Sequence, residues 1–418
     1  MDREAFAALL GDEGQALLAS LKEYEPDREL AVATRLRRSH PPELVSAALA
    51  QARLRQRALV KFGAEDAARM YFTPDGLEQS TRASVATYRA ARFAGSPDST
   101  DSTDGLGAGM GVRELADLCC GIGGDAIALA RAGVRVLAVD RDPLTCDVAQ
   151  ANADALGLAG RIEVRCLDAG DADISGYDAV FVDPARRGGK GRIFDPEAYS
   201  PPLSWAVEVA RRVSYGALKV APGIPHEAVP GDAVAEWISV GGDVKEAVLW
   251  FGTGVGAGAD GAARISPVRA TLLPGPRSLL SRGLADPPVG PVGRYLYEPD
   301  GAVIRSHLVA EAAEELDGRL IDPTIAYVTG DEAHFTPYAT GYEITDVLPF
   351  NLKRLRALLR ERGVGVATIK KRGSAVDPAE LRKKLKLDGP NDCTVFLTRV
   401  AGAPTMLLGH PLGSQAEA

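Results

Sequence analysis

Cysteine is scarce in this 418-residue chain: five residues, at 119, 120, 146, 166 and 393. The count is odd, and no Cys-x-x-Cys pair or Cys/His ligand spacing occurs. That argues against a disulfide scaffold and a structural zinc site and for a reduced, cytoplasmic setting. Cys119 and Cys120 are adjacent and are expected to project to opposite sides of a strand, which does not suit a metal pair. The histidines, His40, His226, His307, His334 and His410, show no metal spacing either; only His334 has acidic neighbours, Asp331 and Glu332. No apolar run approaches the roughly 18 residues of a membrane helix. The first residues, MDREAFAALLGDEG, are charged at once, so no signal peptide is expected. Internal repeats are absent as well.

What is present is ordinary core material, 46% apolar residues, in a length that suits two or three domains. The formal net charge of −8 is unevenly spread. Residues 351–390 hold 12 Lys/Arg against 4 Asp/Glu, a local +8 that leaves −16 elsewhere. An acidic body with one basic tract is compatible with a polyanion partner held at one end, or with a solvated helix surface.

Four regions follow from the pattern. Residues 1–93 read as a helical domain, with Ser39-His40-Pro41-Pro42-Glu43 ending one helix and opening another that runs from Glu43 to Phe62. A further helix is expected from Thr73-Pro74-Asp75 to Phe93. Residues 94–111, rich in Gly, Ser, Asp and Pro, read as a linker. Over 112–275 short apolar strands (114–118, 134–139, 161–166, 178–182, 215–220) alternate with helices (124–132, 143–156, 200–212). That is the signature of a mostly parallel α/β sheet covered on both faces. Strands at 244–252 and 263–273 are expected to form a hairpin across the glycine-rich segment between them. Residues 290–413 read as a last α+β domain. Its helices are expected at 351–362 and 378–387, and its strands at 364–369, 393–400 and 404–408.

The densest chemical signal is Asp117-Leu-Cys119-Cys-Gly121-Ile-Gly123-Gly124-Asp125: a strand ends, glycines cluster and a helix begins. Glycine permits the turn and close ligand approach, and the helix start offers free N–H groups. Asp140 closes the next strand, placed to accept both ribose hydroxyls of a nucleoside, with Arg141 beside it. A dinucleotide remains an alternative, since Ala126 fills the sixth position of a G-x-G-x-x-G frame. Asp117 disfavours it, because an acid in the turn repels a pyrophosphate and suits an ammonium or sulfonium. Asp168, after the third strand, is a candidate acceptor for an adenine amine. Asp142 is expected to flank the ribose or to cap the helix that Pro143 starts. At the fourth strand's end, Asp183 could accept a hydrogen bond from an exocyclic amine and Pro184 fixes the backbone. Arg186, Arg187, Lys190 and Arg192 could meet a phosphate backbone. Lys370, Lys371, Arg372, Lys383 and Lys384 in the basic tract could do the same.

The stretches DLCCGIGGDAIALA (117–130), VLAVDRDP (136–143), CLDA (166–169) and VDPARR (182–187) resemble class I S-adenosylmethionine-dependent methyltransferases. The resemblance implies a Rossmann-like methyltransferase sheet with S-adenosyl-L-methionine as cofactor. By the same token Asp117 would approach its methionine end, Asp140 would hold the ribose and Asp168 would lie near adenine, with Cys119, Gly121, Gly123, Gly124 and Arg141 as further cofactor-binding candidates. The glycine loop is similar to that of cap-hypermethylating guanine-N2 enzymes. Asp183-Pro184 matches the first half of the Asp-Pro-Pro-aromatic motif of amino-group nucleic-acid methyltransferases; Ala185 and Arg186 depart from the second half. Tyr199, Phe194 or Trp205 could supply the missing stacking face, or belong to the core. The segments 72–93, 294–309 and 364–409 resemble a mainly actinobacterial group of uncharacterised methyltransferases with a THUMP-like C-terminal α+β domain, which implies an RNA partner. The expectation is methylation of a base amine in structured RNA, such as tRNA or rRNA, with Asp183 and Pro184 at the acceptor, no metal and no membrane. The alternatives are a small-molecule or protein methyltransferase, a non-catalytic RNA-binding protein of the same fold, and a dinucleotide-dependent oxidoreductase.

Overall fold

The computed structural model describes residues 1–22, 24–95, 110–185, 187–188, 191–192, 195–252 and 268–413. The chain divides into two compact units, Met1–Ala235 with Glu246–Ser266, and Glu236–Lys245 with Pro267–Ala418. Most of the expected linker, together with Arg186, Lys190 and Phe194, lies outside the described residues.

The first unit opens with helices α1 (Arg3–Leu10), α2 (Asp12–Ser20), α3 (Glu29–Leu36), α4 (Pro42–Arg69), α5 (Pro74–Gln79) and α6 (Ala83–Ala94). Pro42 sits in the first turn of α4, where no N–H is needed. The expected helix end at Phe62 is a break inside α4: Gly63 takes φ 77° and ψ 171°. The single helix expected over 73–93 is two. Lys61 Nζ takes the carbonyls of Leu77, Glu78 and Ser80 at 2.7, 2.8 and 2.9 Å, acceptors that a continuing helix would have used itself. The chain therefore turns at Ser80-Thr81-Arg82 before α6 starts.

An alternating segment follows: β1 (Glu114–Leu118), α7 (Gly124–Arg131), β2 (Arg135–Asp140), α8 (Pro143–Ala155), β3 (Ile162–Cys166) and β4 (Ala179–Val182). A small ribbon of β5 (Arg187–Gly188) and β6 (Gly191–Arg192) precedes α9 (Leu203–Ala210) and β7 (Tyr215–Val220). Next come β8 (Val234–Val240) and β9 (Asp243–Phe251). Within the first unit the sheet order is β9-β7-β4-β1-β2-β3. All neighbours from β7 to β3 are parallel, and β9 runs antiparallel to β7. Parallel strands covered on both faces read as continuous apolar runs, and Leu115, Ala116, Leu118, Val136–Val139 and Ala179–Val182 are buried accordingly. The strand order reverses between β1 and β4. In open α/β sheets that switch point leaves a crevice beyond the carboxyl ends of the strands.

In the second unit β10 (Val268–Leu273) is bonded to β8 and to β11 (Arg277–Leu280), so the expected hairpin between 244–252 and 263–273 does not form. Its place beside β10 goes to β8, a strand the sequence pattern did not announce. β8 carries Glu236, fully buried and paired with Arg269 of β10 at 3.1 Å. A seven-stranded sheet follows, built from β12 (Tyr295–Pro299), β13 (Arg319–Asp322), β14 (Ile325–Gly330), β15 (Ala339–Pro349), β16 (Val364–Lys371), β17 (Asn391–Val400) and β18 (Ala403–Pro411). Helices α10 (Gly301–Arg305) and α11 (Val309–Glu315) follow β12, and α12 (Leu352–Glu361) and α13 (Pro378–Leu385) flank β16. The order is β13-β14-β12-β15-β18-β17-β16. Period-2 alternation along β17 divides its contacts. Cys393, Val395 and Leu397 join Leu355 and Leu359 of α12 and Leu381 and Leu385 of α13. Phe396 joins Tyr327 and Tyr342 on the opposite face.

Candidate functional site

Three strand ends are knitted together at the carboxyl edge of the first sheet. Cys120 N–H donates to the Val139 carbonyl at 2.9 Å, and Asp183 N–H to that of Leu118 at 3.1 Å. Cys119 and Cys120 stand past β1 in the turn, not within a strand as expected; Cys119 takes φ 65°. Gly121 and Gly123 also have positive φ, 56° and 85°. A Cβ on Gly121 would meet nothing within 4 Å, so open space lies over it. Gly124 begins α7 and packs near Phe62 of the helical lobe.

Asp117 is the anomaly of β1. It is 0% exposed and neither carboxylate oxygen has a hydrogen-bond partner among the described residues. Burial raises its pKa well above the ordinary carboxylate range, and Asp125, Asp183 and Asp140 raise it further, while Arg89 acts the other way. An unpartnered buried carboxylate costs several kcal/mol, on the order of the effective penalty for one buried ion. Such a cost persists where a ligand supplies the missing partner. Burial, with the surrounding aspartates, also pushes the Cys119 and Cys120 thiols up, so neither is a ready thiolate.

At the end of β2, Asp140 accepts from Gly121 N–H at 3.1 Å and from Asp142 N–H at 3.0 Å. It thereby ties the glycine turn to the loop that carries exposed Arg141. Asp142 caps α8 through Thr145 N–H at 2.8 Å, one of its two expected roles. Asp168 is exposed and caps the short turn after β3, accepting from Gly170 N–H at 2.9 Å. Asn152 of α8 is fully buried. It donates to the carbonyls of Ile122 and Tyr71 at 2.9 and 3.1 Å and accepts from Tyr71 N–H at 2.6 Å. The turn and the lobe segment before α5 are thus clamped together. Gly76 approaches Ile122 so closely that a Cβ would lie 2.4 Å from its side chain.

The acceptor side centres on Asp183, half-buried past β4, with buried Pro184 next. Lys219, buried near the carboxyl end of β7, donates to Asp183 Oδ2 at 2.5 Å and to Thr81 Oγ1 at 3.0 Å. Thr81 in turn donates to Asp125 Oδ2 at 2.8 Å. Arg89 of α6 bonds the other oxygen of Asp125 and also Glu246 of β9. Sequence reasoning missed Thr81, Arg89, Asn152, Lys219 and Glu246. The one available signal was Lys219, a lone cation inside the apolar run YGALKV. Tyr199, considered as a stacking face, is 3% exposed and belongs to the core, while Trp205 is half-buried.

The cations of the basic tract are divided. Lys370 pairs with Glu298, and Arg372 lies 3.6 Å from the same carboxylate. Lys371, Lys383 and Lys384 are exposed, and Lys383 pairs with Glu380 one turn away at 2.9 Å. For Arg187 and Arg192 only the backbone pairing is described. Among the described residues, no group of three or more His, Cys, Asp or Glu could hold a metal ion, and no helix is long and apolar enough to cross a membrane.

A parallel sheet with a switch point, a glycine turn after its first strand and acids at three strand ends define a Rossmann-like methyltransferase domain. Comparison with known proteins agrees. Residues 115–184 match a methyltransferase domain family, residues 339–411 a THUMP domain-like family, and residues 2–58 a domain of unknown function. An uncharacterised S-adenosylmethionine-dependent methyltransferase of Mycobacterium tuberculosis is 33% identical over 357 residues, 83% of this chain and 90% of that one. The chain belongs to this family of S-adenosylmethionine-dependent methyltransferases, and its cofactor is S-adenosyl-L-methionine. A crystal structure from Porphyromonas gingivalis W83, assigned as a methyltransferase, shares the fold with a TM-score of 0.72 at 22% identity, covering 99% of this chain and 100% of that one. Over 91 residues the chain is 33% identical to an uncharacterised RNA methyltransferase of Parasynechococcus marenigrum, covering 21% of this chain and 20% of that one.

Proposed function

We propose that the enzyme methylates a base amine of structured RNA, with the methyl donor held at the carboxyl edge of β1 and β2. The unpartnered carboxylate of Asp117 and the open space over Gly121 fit a ligand bearing an amino acid and a sulfonium. Asp140 would hold the ribose, with Cys119, Gly123, Gly124 and Arg141 lining the turn, and Asp168 would lie near adenine. When bound, the cofactor supplies an electrophilic methyl group.

The observation that carries the acceptor assignment is Asp183. One oxygen is fixed by Lys219 at 2.5 Å, and the residue stands beside β1 with Pro184 next. Such a carboxylate accepts an amine N–H and orients the nitrogen lone pair, so the chain acts mainly by alignment. The THUMP domain-like match over 339–411 and the similarity to an RNA methyltransferase support RNA as the substrate class. Exposed Lys371, Lys383 and Lys384 would contact phosphates, joined by Arg186, Arg187 and Lys190. Lys370 and Arg372 could join only by leaving Glu298.

The test is incubation of the full chain and labelled cofactor with total RNA from cells lacking the gene, followed by nucleoside analysis. One N-methylated nucleoside is expected. Efficient methylation of protein or metabolites with no RNA product would overturn the substrate assignment.

A further inference from the structure

Nothing in the family matches assigns a role to α6, which lies between the segments matched at 2–58 and 115–184. Yet among the residues that α6 buries is a charged one, Arg89, packed against β4. Arg89 is 1% exposed and its guanidinium carbon stands 4.3 Å from the centre of the Phe181 ring. Phe181 is the register partner of Asp117 across β1 and β4. The guanidinium bonds Asp125, in the first turn of α7, and Glu246 of β9. Burial works against its charge, but Asp125, Glu246 and Asp183 outweigh that and raise its pKa overall.

We propose that Arg89 is a positioning residue of the cofactor site: it anchors the first turn of α7 and supplies the buried positive charge that lets Asp117 meet a cationic ligand. The inference rests on the placement of the cofactor at Asp117 given above. Charge counting leads to it. Among the described residues, Arg89 and Lys219 bond three carboxylates, Asp125, Asp183 and Glu246, and Asp117 stands near enough for Asp125, Asp183 and Arg89 to act on it. Arg89 and Lys219 are each committed to other carboxylates, and among the described residues Asp117 is left without a bonded partner. An ionised Asp117 would place negative charge where the sulfonium and ammonium of the methyl donor would go. S-adenosylhomocysteine keeps the ammonium and lacks the sulfonium charge.

The anchoring half of the inference follows from Asp125. Its two oxygens are held by Arg89 and by Thr81, both from the helical lobe. The turn Cys119–Gly124 is thus bounded at its far end by a residue that the lobe holds in place. On this account the lobe is part of the cofactor site, not an appended domain.

The charges acting on Asp117 come from every side. Asp125 lies on α7, Asp183 past β4 and Asp140 at the end of β2, all raising its pKa after burial, and Arg89 on α6 lowers it. Removing Arg89 therefore raises it further. A cation prefers ionised Asp117, so its affinity should fall as the pH drops, and the fall should start at higher pH without Arg89.

The test is calorimetric titration of the full chain with S-adenosylmethionine and S-adenosylhomocysteine between about pH 6 and pH 8.5. Arg89→Met is expected to weaken S-adenosylmethionine binding by about tenfold or more near neutral pH and to steepen its loss toward acid pH. Arg89→Lys is expected to return the fall to the pH range of the wild type. A uniform weakening at all pH values that Lys does not relieve would reduce Arg89 to a packing residue and overturn the proposal; so would wild-type binding by Arg89→Met. Should Arg89→Met fail to fold, Asp125→Asn cuts the tie to α7 while keeping the cation. It is expected to weaken both ligands about tenfold, and unchanged affinity would overturn the proposal. Asp140→Ala separates the two levels. Full affinity in that variant would sink the cofactor placement, and this inference with it, whereas failure of the Arg89 series alone leaves the placement standing.

Discussion

The buried network of the first unit and the basic tract of the second use charge in opposite ways. In the first, Arg89, Asp125, Thr81, Lys219, Asp183 and Glu246 form a buried chain of bonds in which every link is desolvated or half-buried. In the second, most of the basic tract is at the surface, and pairs such as Lys383–Glu380 leave side chains 74% and 57% exposed. A buried network orients groups and is costly to break, because removing one partner strands the other. An exposed pair is worth about 0–1 kcal/mol, and its remaining use is to attract a counter-charge over a distance set by salt. The first pattern suits alignment of reactants, the second capture of a polyanion.

The sharpest break of that contrast is Asp117→Asn. Burial raises the pKa of Asp117, so at neutral pH the ionised form works against folding. Stability is fully present below the unfolded-state pKa and is lost as pH rises toward the folded-state value. Removing the charge should raise the Tm of the free chain by roughly 2–6 °C. The same change should weaken S-adenosylmethionine binding at least about a hundredfold, a loss near 3 kcal/mol. Differential scanning calorimetry and ligand titration on one sample check both. A fall in both stability and affinity would mean that Asp117 is a structural acid.

Lys219→Met tests the acceptor side of the network. It strands Asp183, so methyl transfer to RNA should fall by about 10–100-fold while cofactor affinity stays within about threefold; the lost alignment is worth roughly 1.5–3 kcal/mol. Lys219→Arg should recover part of the rate. A parallel loss of cofactor affinity would place Lys219 on the donor side instead.

The contrast also explains what was legible beforehand. Strands 114–118 and 215–220 coincide with β1 and β7, and α8 starts at Pro143 behind its Asp142 cap, because these signals are local. Asp117, the glycines and Asp140 were visible for the same reason: they lie within one strand–turn–helix–strand unit. The network around them was not. Arg89 and Glu246 are 157 residues apart, Lys219 and Thr81 138, and Arg89 and Asp125 36. No period or motif reports a pairing of that kind. β8 escaped for a related reason: its buried Glu236 is tolerable only because Arg269, on another strand, meets it. The break between α5 and α6 depended on a lysine from α4 taking its carbonyls.

The smallest effect on the fold is expected in the second unit, from Lys371→Ala, Lys383→Ala and Lys384→Ala combined. All three side chains are exposed, and among the described residues Lys383 alone of the three forms an ion pair, with Glu380. The summed loss of stability should stay within about 1 kcal/mol, a shift in Tm of about 2 °C or less for a chain of this size. RNA retention should respond far more. Each phosphate contact removed lowers the slope of log affinity against log salt by about 0.7–0.9, so the triple variant should lose about 2 units of slope if all three cations touch the backbone. Binding measured by filter retention at several salt concentrations reads that slope directly, and cofactor titration should not change. A triple variant with the wild-type slope would remove these cations from the RNA surface. The THUMP-like unit would then have to recognise its partner through other residues, and the division of labour between buried alignment and exposed capture would fail on the capture side.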